Sequence, residues 1–134
     1  MIPTLVDTDI LSRFFRNDPK VVEQMTTYVG EHGVVSLSII TYYEVLSGLL
    51  HRDAGRQLNA FLAFSSLHRV LPLTQTAADH AARLYALTRK EGTPIDDIDL
   101  LIAGIALANG MAIATHNTAH FGKLPGVIVQ DWSL

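Results

Sequence analysis

Short apolar segments alternate along this chain with longer stretches in which apolar and polar residues follow a helical period. The apolar segments have the length of buried strands and lie at residues 2–6, 34–37, 69–73, 111–115 and 127–129. The stretches between them predict helices at residues 10–16, 18–31, 39–51, 53–65, 74–90 and 96–109, with a loop or single turn at 117–121. This alternation is typical of an α/β fold, with a mainly parallel sheet of about five short strands covered by helices on both faces.

Several residues mark where the helices begin. Asp18 followed by Pro19 is a strong start signal, and Ser38, Asp53 and either Thr74 or Thr76 stand in N-cap positions. In the long helix that ends at residue 90 we expect a buried stripe made of Ala78, Ala81, Ala82, Tyr85 and Ala86.

Three acidic residues stand at the start of the most apolar helix. Asp96, Asp97 and Asp99 precede residues 100–108, which are almost wholly apolar, and Gly110 ends the helix. A helix that is apolar on every face is buried inside a domain, so its acidic end has to face water or a cation. Asp in a first helical turn also stabilises the helix by about 0.3–1 kcal/mol, and capping alone accounts for one or two of the three.

Length and composition narrow the class of protein. A chain of 134 residues that is 49% hydrophobic predicts one folded domain spanning residues 1–134. It has no cysteine, which excludes thiolate metal sites and disulfides. No apolar run approaches the roughly 20 residues of a membrane span, and the segment MIPTLVDTD lacks the basic region of a signal peptide. We therefore expect a soluble, cytoplasmic protein with no membrane partner.

The net charge of −3 conceals an uneven distribution of acidic residues. Six of the thirteen acids occupy candidate site positions: Asp7, Asp9, Glu44, Asp96, Asp97 and Asp99. The other seven face ten Lys and Arg residues, so the exterior around a concentrated negative site is mildly basic. This distribution permits a polyanionic substrate whose approach to the acids needs a cation.

Glu44 is the most informative of these acids. Its helix is apolar nearly all round. Of the four neighbours of Glu44 one turn away, Ile40 is apolar, and the other three are small or polar: Thr41, Ser47 and Gly48. Glu44 therefore faces a gap in the apolar surface. A carboxylate there is costly unless it is paired, hydrogen-bonded or bound to a metal; a surface-facing glutamate is the simpler alternative.

Asp7, Glu44 and Asp99 suggest a site only in combination, because an Asp at a strand end often does no more than cap the next helix. If the three lie within about 4 Å of one another, each pair repels by roughly 4 kcal/mol at an effective dielectric of about 20. A hard divalent cation would relieve this repulsion, and ligands that are all oxygen suit Mg²⁺ or Mn²⁺. Such a site can hydrolyse a phosphodiester through an activated water.

Two other functions fit part of the pattern. The sequence Asp7-Thr8-Asp9 after a buried strand also suits an aspartyl-phosphate enzyme of the haloacid-dehalogenase or receiver kind. Such enzymes need a lysine late in the chain, and Lys123 is the only candidate. The second alternative is a non-catalytic RNA-binding or protein-binding module on the same fold.

Four segments, in this order, resemble the motifs of PIN-domain ribonucleases and, more narrowly, of VapC-type toxins: LVDTDIL, SIITYYEVLSGL, TPIDDIDLLIAGIALANG and ATHNTAHF. The resemblance covers nearly the whole chain, as far as the tail PGVIVQDW. It implies a three-layer α/β/α fold and Mg²⁺-dependent endoribonuclease activity on RNA. It also implies a homodimer and a cognate antitoxin protein whose tail plugs the site.

By motif position, the resemblance assigns the three metal-binding acids to Asp7, Glu44 and Asp99. It assigns the fourth, variable position to Asn117, with Thr115 beside it. Asp9 stands where the family usually has Asn and adds a negative charge. Because Asn117 replaces an acid, we expect one firmly held metal and a second that arrives with the substrate. Asp96 and Asp97 match no ligand position and return to a capping role.

Candidate substrate-binding residues lie near these motifs. Arg13 and Arg16 lie on the first helix, and Arg52 and Arg56 follow the third; solvated surface charge is the simplest explanation for all four, and phosphate contact is the alternative. Of the two tyrosines that precede Glu44, we expect at least one in the core. The other, with Tyr43 as the candidate, stacks on a base or lines the antitoxin groove.

Two further features argue for structure rather than chemistry. His116 and His120 have the spacing of a helical metal pair, but their segment is short and lacks an H-E-x-x-H pattern, so we expect no zinc site. Trp132 is expected to anchor the carboxyl-terminal tail by packing.

Overall fold

The computed structural model describes all residues, Met1–Leu134, and contains a five-stranded parallel sheet. The strands are β1 (Thr4–Val6), β2 (Ser36–Ser38), β3 (Arg69–Leu71), β4 (Ala112–Ala114) and β5 (Val129–Gln130). Their order is β3-β2-β1-β4-β5, and every neighbouring pair is parallel. The predicted α/β class and the number of strands are confirmed.

Seven helices cover the sheet: α1 (Thr8–Phe15), α2 (Pro19–His32), α3 (Ile39–His51), α4 (Gly55–Leu67), α5 (Gln75–Lys90), α6 (Asp97–Ala108) and α7 (Thr118–Phe121). Successive strand residues point to opposite faces of the sheet. Leu5 accordingly packs in a core with α5, α6 and α7, whereas Val6 packs in a second core with α1 to α4. The result is the expected three-layer α/β/α sandwich. None of the helices combines the length and apolarity needed to cross a bilayer.

The predicted helix caps are largely confirmed. The Asp18 carboxylate accepts the Lys20 N–H at 3.1 Å, and the Ser38 hydroxyl accepts the Thr41 N–H at 3.0 Å. Of the two threonines considered for α5, Thr74 is the cap, and its hydroxyl accepts the Ala77 N–H at 3.1 Å. Asp96 occupies the N-cap position of α6, but its side chain makes no capping hydrogen bond.

Several predicted boundaries were wrong by one or two residues; β2, for example, was placed at 34–37 but is Ser36–Ser38. Helix α1 begins at Thr8 rather than at residue 10, because Asp7 is its N-cap. Asp53 does not start α4; it has a φ of 51°, in the left-handed region, just beyond the end of α3, and α4 begins at Gly55. The last strand was placed at 127–129 but is Val129–Gln130, since the Val127 N–H bonds to the Leu124 carbonyl in a turn.

The buried face of α5 was also mispredicted. The buried residues are Ala77, Ala81, Leu84 and Thr88, whereas Ala78, Ala82, Tyr85 and Ala86 are exposed. Alanine is compatible with either face, so an alanine-rich helix has no strong apolar period. The side chain of Leu84 and the close contact of α5 with α6 decide which face turns inwards.

Gly104 makes this close contact possible. A methyl group at Gly104 would lie 2.3 Å from the Ala77 carbonyl oxygen and 3.1 Å from the Ala81 Cβ. We expect Gly104→Ala to destabilise the protein by about 1–3 kcal/mol in urea unfolding, because α5 and α6 must move apart. Gly30→Ala in α2 is the control: nothing lies within 4 Å of its added methyl group. Equal stability of the two variants would contradict this account of the helix pair.

The carboxyl-terminal tail is held by packing, as expected. Trp132 is only 2% exposed, and its ring lies 5.6 Å from the ring of Tyr28. The tail is also tied to the loop after β4, because His116 Nδ1 lies 2.9 Å from the Asp131 carboxylate.

Candidate active site

Asp7 lies at the carboxyl end of β1 and is fixed there by its own backbone. Its N–H donates to the Ala114 carbonyl of the neighbouring strand β4 at 2.9 Å. Its carboxylate oxygen Oδ1 accepts the Thr8 N–H at 2.8 Å, so Asp7 caps α1. The residue is only 6% exposed. Asp7 therefore combines a capping role with a buried carboxylate at the sheet edge where α/β folds bind ligands.

Thr115, which follows β4, links the two aspartates of the first motif. Its hydroxyl donates to Asp7 Oδ2 at 2.8 Å and lies 3.5 Å from both carboxylate oxygens of Asp9. The backbone N–H of His116 donates to Asp9 Oδ2 at 3.0 Å. The N–H of Asn117 in turn donates to the Thr115 hydroxyl oxygen at 2.9 Å. The loop after β4 thus holds both carboxylates against the end of β1.

Glu44 reaches the same region from α3. Its carboxylate oxygen Oε1 accepts a hydrogen bond from the Thr8 hydroxyl at 2.7 Å, and that hydroxyl also lies 3.1 Å from the hydroxyl of Thr41. Thr8 is therefore a direct link between Asp7, through its backbone, and Glu44, through its side chain. The gap that the sequence indicated around Glu44 is filled here by a threonine of α1.

Asp99 comes from the first turn of α6. Its Oδ2 atom lies 3.1 Å from His120 Nδ1, which in turn lies 2.9 Å from the Asn117 side-chain nitrogen. Asp99 is also close enough to Asp7 for its charge to raise the Asp7 pKa. The candidate acids Asp7, Asp9, Glu44 and Asp99 are thus all placed around the carboxyl ends of β1 and β4.

The electrostatics of Asp7 reflect this crowding. Burial of the carboxyl group raises its pKa from 3.8 to about 7; the charges of Asp9 and Asp99 act in the same direction. Hydrogen bonds from Thr115 and Thr8 oppose the increase. No Lys or Arg nitrogen lies within 4.0 Å of Asp7, Asp9, Glu44 or Asp99. The site therefore concentrates carboxylates without a Lys or Arg to balance them, and the only basic side chain in contact is His120, 3.1 Å from Asp99.

The donor set is suited to a hard cation but is not preassembled as a cluster. All four candidate acids offer oxygen ligands, which Mg²⁺ and Mn²⁺ prefer. No three Asp, Glu or His side chains are gathered in a ready-made metal-binding group. Each carboxylate instead has its own partner. Thr8 donates a hydrogen bond to Glu44, and Thr115 donates one to Asp7. Asp99 lies within hydrogen-bond distance of His120.

The candidate substrate-binding residues are placed differently from one another. Arg13 is paired with Asp18 at 3.5 Å and makes no ion pair with the candidate acids. Arg16 lines a cavity of about 540 Å³ that also contains Thr8 and Glu44. Tyr43 is 65% exposed, whereas the ring of Tyr42 packs 5.5 Å from that of Phe61, which agrees with the expectation of one core and one surface tyrosine.

Sequence reasoning missed two contributors to the site. Thr8 was considered only as part of the sequence Asp7-Thr8-Asp9, and His120 only as half of a zinc pair that the pattern did not support. In the structure His116 and His120 contact different carboxylates, Asp131 and Asp99. The signal available for Thr8 was its position between two aspartates. The contact of His120 with Asp99 joins residues from different segments, so no local sequence pattern could have indicated it.

The structure is thus a parallel α/β domain whose buried and half-buried carboxylates lie near the carboxyl edge of its sheet. The family model described as "PIN domain" matches residues 4–126. The chain belongs to the PIN domain family.

Similar proteins extend this assignment over the full length. The chain is 29% identical to the tRNA(fMet)-specific endonuclease VapC of Shigella flexneri, over 99% of this chain and 100% of that protein. It is 25% identical to the ribonuclease VapC1 of Haemophilus influenzae, over 96% of this chain and 97% of that protein. Its fold matches a chain of the DNA-bound VapBC crystal structure from Salmonella typhimurium with a TM-score of 0.87 and 28% identity, covering 98% of this chain and 99% of that chain.

Proposed function

We propose that this PIN-domain protein is a VapC-type toxin that hydrolyses RNA phosphodiesters as a metal-dependent endoribonuclease. The single observation that carries the proposal is the buried Asp7 carboxylate, which lies beside Asp9 and Asp99 without a balancing Lys or Arg. The full-length similarity to proteins named as VapC ribonucleases supports the substrate class. A lysine contact that an aspartyl-phosphate enzyme would need at Asp7 is absent.

The proposed cofactor is Mg²⁺, with Mn²⁺ as a substitute, held by Asp7, Glu44 and Asp99. When bound, such an ion supplies a Lewis acid that lowers the pKa of a water and stabilises the leaving oxygen. The residues of the chain orient the carboxylates for it. Thr115 and the Thr8 N–H each hold one oxygen of Asp7, and the Thr8 hydroxyl holds Glu44.

Asp9, Asn117 and Thr115 have auxiliary roles in this proposal. Asp9 adds negative charge next to Asp7, and Asn117 contacts His120, the partner of Asp99. Asn117 brings an amide rather than a carboxylate, which favours one firmly held metal and a second that enters with the RNA.

The proposed partners are a cognate antitoxin and a second copy of this chain. The antitoxin is supported by the similarity to the toxin chain of a VapBC complex. The homodimer is what the resemblance to VapC-type toxins implies. Light scattering of the purified chain tests the dimer.

The test of the proposed function is RNA cleavage by the purified protein. Initiator tRNA is the first substrate to try, since the Shigella flexneri relative is named for it. We expect cleavage with Mg²⁺ and with Mn²⁺, and its loss on addition of EDTA; excess Mg²⁺ added afterwards should restore it. Cleavage that continues undiminished in EDTA would refute the metal-dependent mechanism. A protein that binds RNA normally but cuts no RNA tested would favour the non-catalytic alternative.

A further inference from the structure

A cleft opens beside the carboxylates between α1, α3 and α4. Its volume is about 540 Å³, and Thr8 and Glu44, which are hydrogen-bonded to each other, form part of its wall. The cleft is therefore continuous with the candidate active site. Its interior contains apolar side chains, among them the buried Phe61 and the partly exposed Phe15.

Three arginines line the same cleft: Arg16, Arg52 and Arg56. All three are exposed, and none has a carboxylate oxygen within 4.0 Å, although Asp53 adjoins Arg52 in sequence. Arg13, by contrast, lies within α1 and is paired with Asp18. In a chain with a net charge of −3, three unpaired guanidinium groups on one cleft form a local basic surface.

The positions of the arginines give the cleft a direction. Arg16 and Arg52 are the C-cap residues of α1 and α3. Arg16 comes eight residues after Thr8 along α1, and Arg52 comes eight residues after Glu44 along α3. Eight residues of helix correspond to about 12 Å. The side chain of Arg52 folds back along α3, where it contacts the position that a Gly48 side chain would occupy. Glu44 thus lies at one end of the cleft, and the unpaired arginines continue from it towards the other end, with the Arg52 side chain reaching back to within one helical turn of Glu44.

We propose that Arg16, Arg52 and Arg56 form a phosphate-binding subsite that holds the RNA strand next to the bond being cut. This inference rests on the proposed function, because it concerns the substrate of that site. A nucleic-acid strand whose phosphodiester reaches the carboxylates necessarily carries further phosphates on both sides of it. Guanidinium groups are well matched to phosphate oxygens, and their exposed positions leave them free to contact the strand. The subsite recognises backbone charge, so it contributes affinity and position rather than base specificity.

Binding of RNA without cleavage tests the subsite directly. The probe is a short fluorescein-labelled oligouridylate, titrated in EDTA with Asp99→Asn protein, so that neither metal nor cleavage interferes. In that background, the triple variant R16Q/R52Q/R56Q should raise the Kd by about a hundredfold. It should also reduce the slope of log K against log salt by about 2, because each phosphate contact on a single strand contributes about 0.7.

A matched control separates this subsite from general loss of charge. The variant R83Q/R89Q/K90Q removes the same number of positive charges from α5, on the other side of the sheet. This variant should leave the salt slope and the Kd close to those of the parent protein. An equal loss of affinity in the α5 variant would overturn the proposal in favour of nonspecific attraction.

Cleavage kinetics distinguish failure of this inference from failure of the proposed function. With otherwise wild-type protein, R16Q/R52Q/R56Q should raise KM strongly and change kcat little. If the wild type cuts RNA but the triple variant cuts and binds it equally well, the subsite is refuted and the ribonuclease stands. If the triple variant keeps RNA binding and cleavage but loses binding of the antitoxin, the cleft is a protein-docking site and the phosphate subsite is refuted. If the wild type cuts no RNA, the proposed function itself fails.

Discussion

Replacing Asp99 by asparagine should lower the rate of RNA cleavage by about 10³-fold or more at saturating Mg²⁺. The amide keeps the size of the side chain and can still contact His120, which lies 3.1 Å from the Asp99 carboxylate. It removes the negative charge that acts on Asp7 and one anionic oxygen from the proposed metal site. The measurement is single-turnover cleavage of a labelled RNA.

Asp97→Asn is the matched control for this variant. Asp97 lies in the same first turn of α6, carries the same charge and is exposed. Its replacement should leave the cleavage rate within about twofold, since a surface charge contributes little. A comparable loss in both variants would mean that helix capping, not the site, explains the effect. Unchanged cleavage by Asp99→Asn would remove Asp99 from the proposed site.

The metal-free protein should lose stability as the pH rises from about 4 to about 7. The folded Asp7 has a pKa of about 7 rather than 3.8, so in this window the folded state retains a proton that the unfolded chain releases. Stability therefore falls with rising pH and levels off above the folded pKa, by up to about 4 kcal/mol in total. The free energy of unfolding in urea with EDTA present, measured at a series of pH values, checks this.

The variant Asp7→Asn isolates the contribution of that one group. The uncharged amide should remove the fall in stability between pH 4 and 7 and make the variant more stable than the wild type at pH 8. Partial burial lowers the pKa of His68, which acts in the opposite direction, but His68 is common to both proteins and cancels in the comparison. Adding Mg²⁺ at pH 8 should stabilise the wild type and leave Asp7→Asn largely unaffected. Parallel pH profiles for the two proteins would show that Asp7 is not the crowded, buried acid described above.

Sequence patterns located the strands and helices well where a strong local signal exists. Short apolar runs marked all five strands, although the second and the last were displaced by one to two residues. Ser38 and Asp18 were recognised as caps from their positions alone. The prediction failed in α5, where alanines on both faces left the buried stripe ambiguous. It also failed at Asp53, whose left-handed φ ends α3 instead of starting α4.

The candidate site shows the same division between local and long-range information. Local patterns indicated Asp7, at a strand end, and Glu44, in an apolar helix. The resemblance to PIN-domain ribonucleases then selected Asp99 from the three acids at the start of α6. The sequence could not show that the Thr8 hydroxyl holds Glu44 or that His120 contacts Asp99. Nor could it distinguish Arg13, which is paired, from Arg16, which faces the cleft.

Local sequence patterns were enough to predict the α/β class and the order of elements, and they indicated acids near the carboxyl edge of the sheet. These predictions follow from hydrophobic period, helix capping and turn residues, which act between neighbours in the chain. The folded structure was needed to establish which face of α5 is buried, how far the pKa of Asp7 is raised and which arginines share a cleft with Glu44. Those properties depend on burial and on distances between groups far apart in sequence, and no local pattern encodes such distances.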